Sequence, residues 1–424
     1  MNPGQLIGII TGSIIGSFMI IAGVVKKLGN TQEDTQEDTE NNHTIIEGHE
    51  LIADWWINNI LFSSNGKFLA STNENTVKLL DIENDKEIEI EDKNELFPKR
   101  RNKIISIAFS PDSKILAVNK EGTVYFWEVE KGRRIHIYEI NVGSSTILFS
   151  PDSKFLITAD STFIVAWDLS SKNSIYLKEK LFKSSSNKKL GRKYYEKDSK
   201  DFSTIAFSPD GKKFASGNHS GEIDLWKYGT FKNKINSRIN RKINFTYMKQ
   251  IKTEKSINSI AFSSNSKLLV SGGKDGIIKL WNVEDGKLIN ELPIKLNKHH
   301  EIISIILSHD NKFMATMTEI KKTISLYPDT IVSLWDISNI NDTYDIKHIK
   351  NFKKRGLYTN AIAFSPDSKI LASGGTYNND ETNKDPYYNN PIIFWDISNI
   401  QTGGRKNINN RKSNRKSNKK SNIK

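Results

Sequence analysis

The hydrophobic and polar positions of this chain repeat one pattern seven times. In residues 106–117, SIAFSPDSKILA, two short apolar runs flank a polar Ser-Pro-Asp-Ser segment. Apolar, strand-like runs on both sides of Pro and Asp predict a β-hairpin with a type I turn. Closely similar phrases begin at residues 59, 146, 204, 259, 304 and 361. The pattern therefore predicts seven copies of one hairpin.

A second signature closes each repeat. Six repeats end in an apolar run with a tryptophan, such as VYFWEV at residues 124–129 and IIFWDI at residues 392–397. In the first repeat the run is VKLLDI, with Leu80 where the tryptophan is expected. The hairpins start 40 to 58 residues apart. Strand-forming repeats of this length predict propeller blades or a β-solenoid, because helical repeats would show a 3.6-residue period.

The first strand of each repeat is apolar or small on both faces, as in Ile105-Ser106-Ile107-Ala108-Phe109. A strand buried on both faces is expected between stacked blades. Radial repetition also covers strand edges that would otherwise promote aggregation. A ring of blades has to join its two ends. We expect the apolar segment HTIIE, residues 43–47, to supply the outer strand of the last blade.

The repeats resemble the WD-repeat family of β-propellers. The resemblance is carried by Trp167-Asp168, Trp335-Asp336 and Trp395-Asp396, by the FSPDSK and FSPDGK turns, and by Gly48-His49 ahead of the first repeat. It covers residues 43 to about 400. It implies an all-β fold, a seven-bladed β-propeller of four-stranded antiparallel blades, and the protein-assembling role common in that family.

The chain departs from the family pattern in its polar residues. Many WD repeats join a His, a Ser or Thr, a turn Asp and the Trp in one hydrogen-bonded set. Here the Trp and Ser recur, but His is nearly absent, and Asp275 is the clear example of the turn Asp. We expect no blade to contain the complete set.

Residues 6–25, LIGIITGSIIGSFMIIAGVV, contain no charged residue. A helix of that length spans roughly 30 Å, the thickness of the bilayer hydrocarbon. A cleaved signal peptide is the alternative, but the uncharged start MNPGQ does not fit one. Lys26-Lys27 follow the segment, and the positive-inside rule then predicts that the later chain is cytoplasmic. We expect one transmembrane helix within residues 1–27, anchoring a single-pass membrane protein.

Gly8, Gly12 and Gly16 follow one stripe of the predicted helix. Small residues at this spacing let two helices approach closely, so a homodimer through this stripe is one interpretation. The other is that glycine is simply common in membrane-spanning helices.

Charge divides the rest of the chain into three parts. Residues 28–42 include the acidic TQEDTQEDTE and predict a flexible linker. Residues 43–400 form the predicted propeller. Residues 401–424 contain nine Lys and Arg and no acid, out of a net charge of +13, and predict a disordered basic tail. The tail is either a solvated extension or a site for anionic lipid or nucleic acid.

The sequence predicts neither catalytic nor metal chemistry. The absence of cysteine excludes thiolate ligands and cysteine nucleophiles. His299-His300 is the only histidine pair, and neighbours on a strand point to opposite faces. Turn chemistry explains the Asp of each SPD segment. No P-loop, G-x-S-x-G or H-E-x-x-H motif occurs. We therefore predict a protein that is not an enzyme and needs no cofactor or metal.

A partner surface is predicted from the longest connections between strands. In a four-stranded antiparallel blade, strands a to d, the b–c and d–a connections share one face of the disc. Residues 183–200 are expected in a d–a connection and residues 376–391 in a b–c connection. Three aromatic pairs, Trp55-Trp56, Tyr194-Tyr195 and Tyr387-Tyr388, fall in connections of this face. Exposed aromatic residues commonly anchor protein interfaces, although each pair could instead pack under its own loop. The candidate partner-binding residues are Trp55, Trp56, Lys188, Arg192, Tyr194, Tyr195, Tyr387 and Tyr388.

Together these features predict a membrane-anchored, non-catalytic scaffold that binds other proteins, with its propeller on the cytoplasmic side. The alternative is polyanion binding, to nucleic acid or anionic lipid, through the basic tail and the c–d segment KNKINSRINRK at residues 232–242. We expect that segment to be a solvated loop on the opposite face from the aromatic pairs.

Overall fold

In the computed structural model, the described residues form 28 strands in seven separate four-stranded antiparallel sheets, which confirms the predicted seven-bladed propeller. The one helical element among the described residues is a 3-10 turn at Val129–Lys131. The structure describes residues 48–53, 57–84, 86–90, 103–139, 146–159, 164–169, 179–182, 202–235, 238–294, 300–320, 329–353, 357–377, 390–400 and 402.

In each blade the four strands are labelled a, b, c and d in the order in which they pair, from the centre of the ring outward. Blade 1 contains β2 (Asn59–Phe62), β3 (Phe68–Thr72), β4 (Val77–Asp81) and β5 (Lys86–Glu89). Blade 2 contains β6 (Ile104–Phe109), β7 (Ile115–Lys120), β8 (Thr123–Glu128) and β9 (Arg133–Glu139). Blade 3 contains β10 (Thr146–Phe149), β11 (Phe155–Ala159), β12 (Ile164–Asp168) and β13 (Glu179–Phe182). Blade 4 contains β14 (Phe202–Phe207), β15 (Lys213–Asn218), β16 (Glu222–Ile235) and β17 (Arg238–Lys252).

The other three blades follow the same order. Blade 5 contains β18 (Ile257–Phe262), β19 (Leu268–Gly273), β20 (Ile277–Asn282) and β21 (Leu288–Pro293). Blade 6 contains β22 (His300–Leu307), β23 (Phe313–Ile320), β24 (Asp329–Asp336) and β25 (Lys347–Phe352). Blade 7 contains β26 (Leu357–Phe364), β27 (Ile370–Tyr377), β28 (Asn390–Asp396) and β1 (Gly48–Ala53).

The first strands of neighbouring blades contact one another all the way round, from β2 through β26 and back to β2. Strand a is therefore innermost. Because successive strands in a blade are antiparallel, the a–b and c–d connections lie on one side of the disc, called here the turn face. The b–c and d–a connections lie on the other side, called the connection face.

The ring is closed by β1. It pairs antiparallel with β28, from Gly48 opposite Trp395 to Ala53 opposite Asn390. A segment that precedes blade 1 in the sequence thus completes blade 7, as predicted. The segment differs from the one predicted, however, because the outer strand is Gly48–Ala53, whereas HTIIE at residues 43–47 lies outside the described residues.

The hydrophobic core consists of clusters that lie between blades. Phe68 and Leu79 of blade 1 pack with Leu116 and Trp127 of blade 2. The same arrangement recurs at each of the seven junctions, including blade 7 against blade 1. Each strand-c tryptophan faces the preceding blade, so the interior is assembled only when blades meet.

All seven a–b turns have the same internal geometry. In each, the first Ser donates its hydroxyl to an Asp or Asn oxygen two residues later, at 2.5–2.7 Å. The Ser oxygen also accepts the backbone N–H five residues on, at 2.8–3.0 Å. The fourth turn residue has a left-handed φ between 57° and 74°; these residues are Gly66, Ser113, Ser153, Gly211, Ser266, Asn311 and Ser368.

These left-handed residues also join neighbouring turns. At five junctions a backbone N–H of one turn donates to the side chain of the next turn's fourth residue, as from Asn65 to Ser113 Oγ at 3.0 Å. At the other two junctions the fourth residue is Gly211 or Gly66. A proline of the preceding blade, Pro151 or Pro366, packs there instead. A left-handed L-residue costs about 1–2 kcal/mol, a cost similar to what the inter-blade hydrogen bond returns.

Strand a supplies a second level of inter-blade contact. Asn258 Nδ2 donates to the carbonyl of Ile302 at 2.9 Å, and Asn360 Nδ2 donates to that of Ile57 at 2.9 Å. Gly272 in strand b faces the next blade so closely that a Cβ would lie 2.7 Å from Ile305 Cδ1. Neighbouring blades are therefore fixed to each other by both polar and steric contacts.

The strand-c tryptophan is hydrogen-bonded to strand b in four blades. The donors are Trp167, Trp281, Trp335 and Trp395, and the acceptors are Thr158, Ser271, Thr316 and Ser373, at 2.8–3.2 Å. Blade 2 has Val118 at that position, and the buried indole N–H of Trp127 has no partner. Asp275 pairs with Lys279 and accepts the N–H of Ile277.

Blade 4 departs from the prediction. The segment at residues 232–242, expected to be a solvated loop, is mostly paired strand. The pairing of β16 with β17 continues without a break from Trp226 opposite Tyr247 to Ile235 opposite Arg238. We call residues 228–235 and 238–245 the ribbon.

No helix in the described part of the chain is long and apolar enough to cross a membrane. The predicted anchor at residues 6–25 and the linker at 28–42 lie outside the described residues, as does the predicted tail apart from residue 402.

We expect Val118→Thr to stabilise the propeller by about 1 kcal/mol, because it supplies the hydroxyl that the Trp127 indole lacks. Urea unfolding of the purified chain measures the change. The matched variant Thr158→Val should lower stability by about 1–3 kcal/mol, since it removes the acceptor of Trp167. Shifts of the same sign in both variants would contradict the assigned role.

Removing residues 1–53 should expose the edge of β28, whereas removing residues 1–47 should not. Hydrogen exchange at the amides of Ile392–Asp396 is expected to rise only in the shorter chain, because it lacks β1. Strand β24 of blade 6, which keeps its neighbours in both chains, is the internal reference. Equal protection of β28 in both chains would show that Gly48–Ala53 does not close the ring.

Candidate protein-interaction face

The strand bounds define which connections carry the predicted partner-binding residues. Residues 54–58 connect β1 to β2, and residues 183–201 connect β13 to β14, so both are d–a connections. Residues 378–389 connect β27 to β28 and are a b–c connection. All three join strand ends that lie on the connection face. The predicted residues themselves lie outside the described residues; they are Trp55, Trp56, Lys188, Arg192, Tyr194, Tyr195, Tyr387 and Tyr388.

The described side chains of the connection face join one blade to the next. Between blades 4 and 5, His219 Nδ1 lies 2.9 Å from Ser256 Oγ. Between blades 6 and 7, Tyr358 donates its hydroxyl to Glu319 at 3.2 Å. In each case a residue near the end of strand b meets one near the start of the next strand a.

The junction of blades 1 and 2 follows the same rule. Lys103 Nζ lies 2.9 Å from Glu74 Oε1. Both side chains are about half exposed, so this ion pair contributes at most about 1 kcal/mol. These contacts join neighbouring blades along the inner rim of the connection face.

Tyr358 is the most perturbed titratable group on this rim. Burial raises its pKa, and the nearby carboxylates of Glu319 and Glu301 raise it further, to about 12. Glu301 lies directly opposite Glu319 across strands a and b of blade 6. A phenol with so high a pKa stays protonated and donates a hydrogen bond. It is suited to positioning, and it is a poor general base or nucleophile.

The described residues contain no group of three or more His, Asp or Glu that could hold a metal ion. Of the pair His299-His300, His300 lies against Gly276, where a Cβ would meet its ring at 2.5 Å, and His299 lies outside the described residues. The described part of this face can therefore interact with a ligand through hydrogen bonds and complementary shape.

Sequence reasoning missed an exposed apolar strip on the outer rim. Tyr247, Leu288 and Tyr344 are 47%, 45% and 38% exposed and lie on blades 4, 5 and 6. The Tyr247 ring packs edge-on against Trp226 at 5.0 Å. Asn290 Nδ2 donates to the carbonyl of Tyr344 at 3.0 Å, which connects blade 5 to blade 6. Only the exposed parity of strand d could have indicated Tyr247 and Leu288, whereas Tyr344 lies in the c–d connection between β24 and β25.

Comparison with known families gives two matches. The family model described as "Nucleolar protein 10-like, N-terminal domain" matches residues 73–331, more than half of the chain. The model described as "WD domain, G-beta repeat" matches residues 40–81.

Curated relatives match over parts of their length. Small ribosomal subunit protein RACK1y of Oryza sativa subsp. japonica is 29% identical over 121 residues, 28% of this chain and 32% of that protein. WD repeat-containing protein AAC3 of Dictyostelium discoideum is 25% identical over 265 residues, 51% of this chain and 52% of that protein. Protein HIR1 of Kluyveromyces lactis is 24% identical over 183 residues, 40% of this chain and 20% of that protein. The chain therefore covers less than two thirds of each.

Tyr358→Phe should flatten the pH dependence of stability between about pH 10 and pH 12. The folded phenol ionises near pH 12, whereas an unfolded tyrosine ionises near about pH 10. The phenol's contribution is complete below the unfolded pKa and is lost as pH rises through the folded one. Urea midpoints at about pH 9 and about pH 11 should therefore fall more for the native chain than for the variant. Equal slopes in the native chain and the variant would refute the role of Tyr358.

Proposed function

Because the chain belongs to the propeller family described as nucleolar protein 10-like, N-terminal domain, we propose that it is a non-catalytic scaffold that binds other proteins through its connection face. WD-repeat propellers typically bind other proteins, and this supports the proposal. RACK1y, one of the relatives, is by its name a protein of the small ribosomal subunit. A role within a larger assembly agrees with that similarity.

The observation that carries the proposal is the distribution of aromatic pairs over connections. In the sequence, Trp55-Trp56, Tyr194-Tyr195 and Tyr387-Tyr388 occur in three segments that join strand ends of the connection face. Tryptophan and tyrosine dominate binding energy at the centres of protein interfaces. The inner rim of the same face is held by inter-blade contacts such as that of Tyr358 with Glu319. Aromatic residues on three connections beside this rim suit recognition of a folded partner.

We further propose that residues 6–25 anchor the chain in a membrane, with the propeller on the cytoplasmic side. The length and apolarity of this segment and the flanking Lys26-Lys27 support the proposal. Gly48 lies opposite Trp395, near the end of β28, which is the turn-face end of blade 7. A linker at residues 28–42 would therefore reach the propeller at its turn face. The connection face would point away from the membrane, toward partners.

Replacing the six aromatic residues with alanine should abolish partner capture. Crosslinking the full-length chain in its native membranes, followed by affinity purification and mass spectrometry, identifies the partners. Hot-spot aromatics each contribute more than about 1 kcal/mol, so recovery of specific partners should fall at least about tenfold.

The matched control replaces Tyr247, Leu288 and Tyr344, the exposed strip of the outer rim, with alanine. This variant should keep the partners. Loss of partners in the control, with full recovery in the six-residue variant, would place the interface on the outer rim and refute the proposal. Circular dichroism of each purified variant checks that the propeller is intact.

A further inference from the structure

The ribbon of blade 4 has no counterpart in the other described blades. Their c strands are 5 to 8 residues long, whereas β16 has 14 residues and β17 has 15. The eight ribbon pairs run from Tyr228 opposite Phe245 to Ile235 opposite Arg238. At about 3.3 Å per residue they extend roughly 25 Å. Because β16 runs from the connection face to the turn face, the extension continues past the turn face.

The base of the ribbon is fixed to the blade by aromatic packing. Phe245 packs against Phe214 with ring centroids 5.3 Å apart and against Tyr228 at 5.2 Å. Tyr228 also packs against Phe207 at 4.9 Å. The extension therefore starts from a packed, buried foundation, which sets the direction in which it leaves the blade.

The ribbon is basic and contains no acid. No Asp or Glu occurs between Asp224 and Glu254. The ribbon itself contains five cations, which are Lys232, Lys234, Arg238, Arg241 and Lys242. Lys232 is directly opposite Arg241 in the register, and like charges in that position destabilise a sheet. An anionic surface that surrounds the ribbon would remove this penalty.

The ribbon also has apolar residues at alternate positions. Directly opposed residues share a face, so Phe231 and Ile235 lie on one face with Arg238 and Lys242. Ile239 and Ile243 lie on the other, with the remaining cations. Isoleucine and phenylalanine side chains do not bind phosphate, but their transfer from water into the interfacial layer of a bilayer is favourable. Cations mixed with apolar residues on both faces fit a hairpin that enters this layer end-on, with headgroups on all sides.

We propose that the ribbon inserts its end into the interface of an anionic membrane. This inference rests on the proposed membrane anchor for its setting, because the chain enters β1 at the same turn face. Basic residues near an anionic leaflet are each worth a roughly fivefold gain in partitioning at low salt. Blade 4 lies across the ring from blade 7. The anchor and the ribbon would thus touch the bilayer at two separated points.

The test uses the absence of cysteine from the chain. Full-length protein carrying Ile235→Cys is labelled with an environment-sensitive fluorophore and reconstituted into vesicles that contain a lipid-borne quencher. The reference is Ile135→Cys, an exposed position on blade 2. We expect quenching at residue 235 in vesicles with phosphatidylserine but not in vesicles of phosphatidylcholine alone, and no quenching at residue 135 in either.

A charge variant separates the ribbon from the rest of the face. Replacing the five ribbon cations with glutamine should lower partitioning of the ribbon into anionic vesicles roughly fivefold per cation at low salt, so quenching at residue 235 should be lost. The matched control replaces five exposed lysines elsewhere with glutamine and should leave quenching unchanged; they are Lys114, Lys131, Lys212, Lys267 and Lys287.

Several results would overturn the inference. These are no quenching at residue 235, equal quenching in neutral vesicles, or equal losses in the ribbon and control variants. A fluorescence change caused by duplex DNA, with none caused by anionic vesicles, would assign the ribbon to nucleic acid. Retention of the chain in vesicles after an alkaline wash reports the anchor separately. Failure of the anchor can thus be told from failure of the ribbon.

Discussion

Among the described residues, the hydrophobic core of this propeller lies between blades. Each hydrophobic cluster lies between two blades, so Trp127 of blade 2 is buried only when Phe68 and Leu79 of blade 1 are beside it. Burial of such side chains is worth roughly 1.5–3 kcal/mol each. That gain is realised only as the ring forms. The turn contacts, the glycines that admit the next blade and the closing strand all serve this one requirement.

The a–b turns meet the requirement with backbone geometry as well as side chains. A left-handed residue at the fourth position sets the hairpin, and in five turns its side chain also accepts an N–H from the preceding blade. Local strain and inter-blade bonding therefore occur at the same residue. Where the residue is Gly66 or Gly211, the strain disappears, and a proline contact replaces the bond. This exchange explains how the turn sequence can vary while the ring stays regular.

The same hydrophobic junction is repeated between all neighbouring blades. This repetition also explains why a blade can lack the strand-c tryptophan or its hydroxyl acceptor. Blade 1 has Leu80 in place of the tryptophan, and blade 2 has Val118 in place of the hydroxyl acceptor. Each loss costs one interaction of about 1 kcal/mol. The inter-blade clusters beside both residues are retained. Local departures from the repeat are therefore tolerated as long as the hydrophobic contact between blades persists.

Much of this fold could be predicted from the sequence, because seven copies of a hairpin signature average out local ambiguity. Single-copy features were harder to predict. HTIIE and Gly48–Ala53 are adjacent segments of similar apolarity, and only pairing with β28 distinguishes them. Residues 232–242 have the composition of a loop, and their strand character follows from a hairpin already begun at Trp226 and Tyr247. The exposure of Leu288 depends on which parity of strand d faces solvent, and the aromatic pairs of the connection face stay a prediction.

The closing strand has a mechanical consequence. Tension applied at Gly48 along the axis of β1 would load the β1–β28 hydrogen bonds in shear, all at once. A ring closed in this way resists a pull along that axis better than a sideways pull, which would open the pairs one after another.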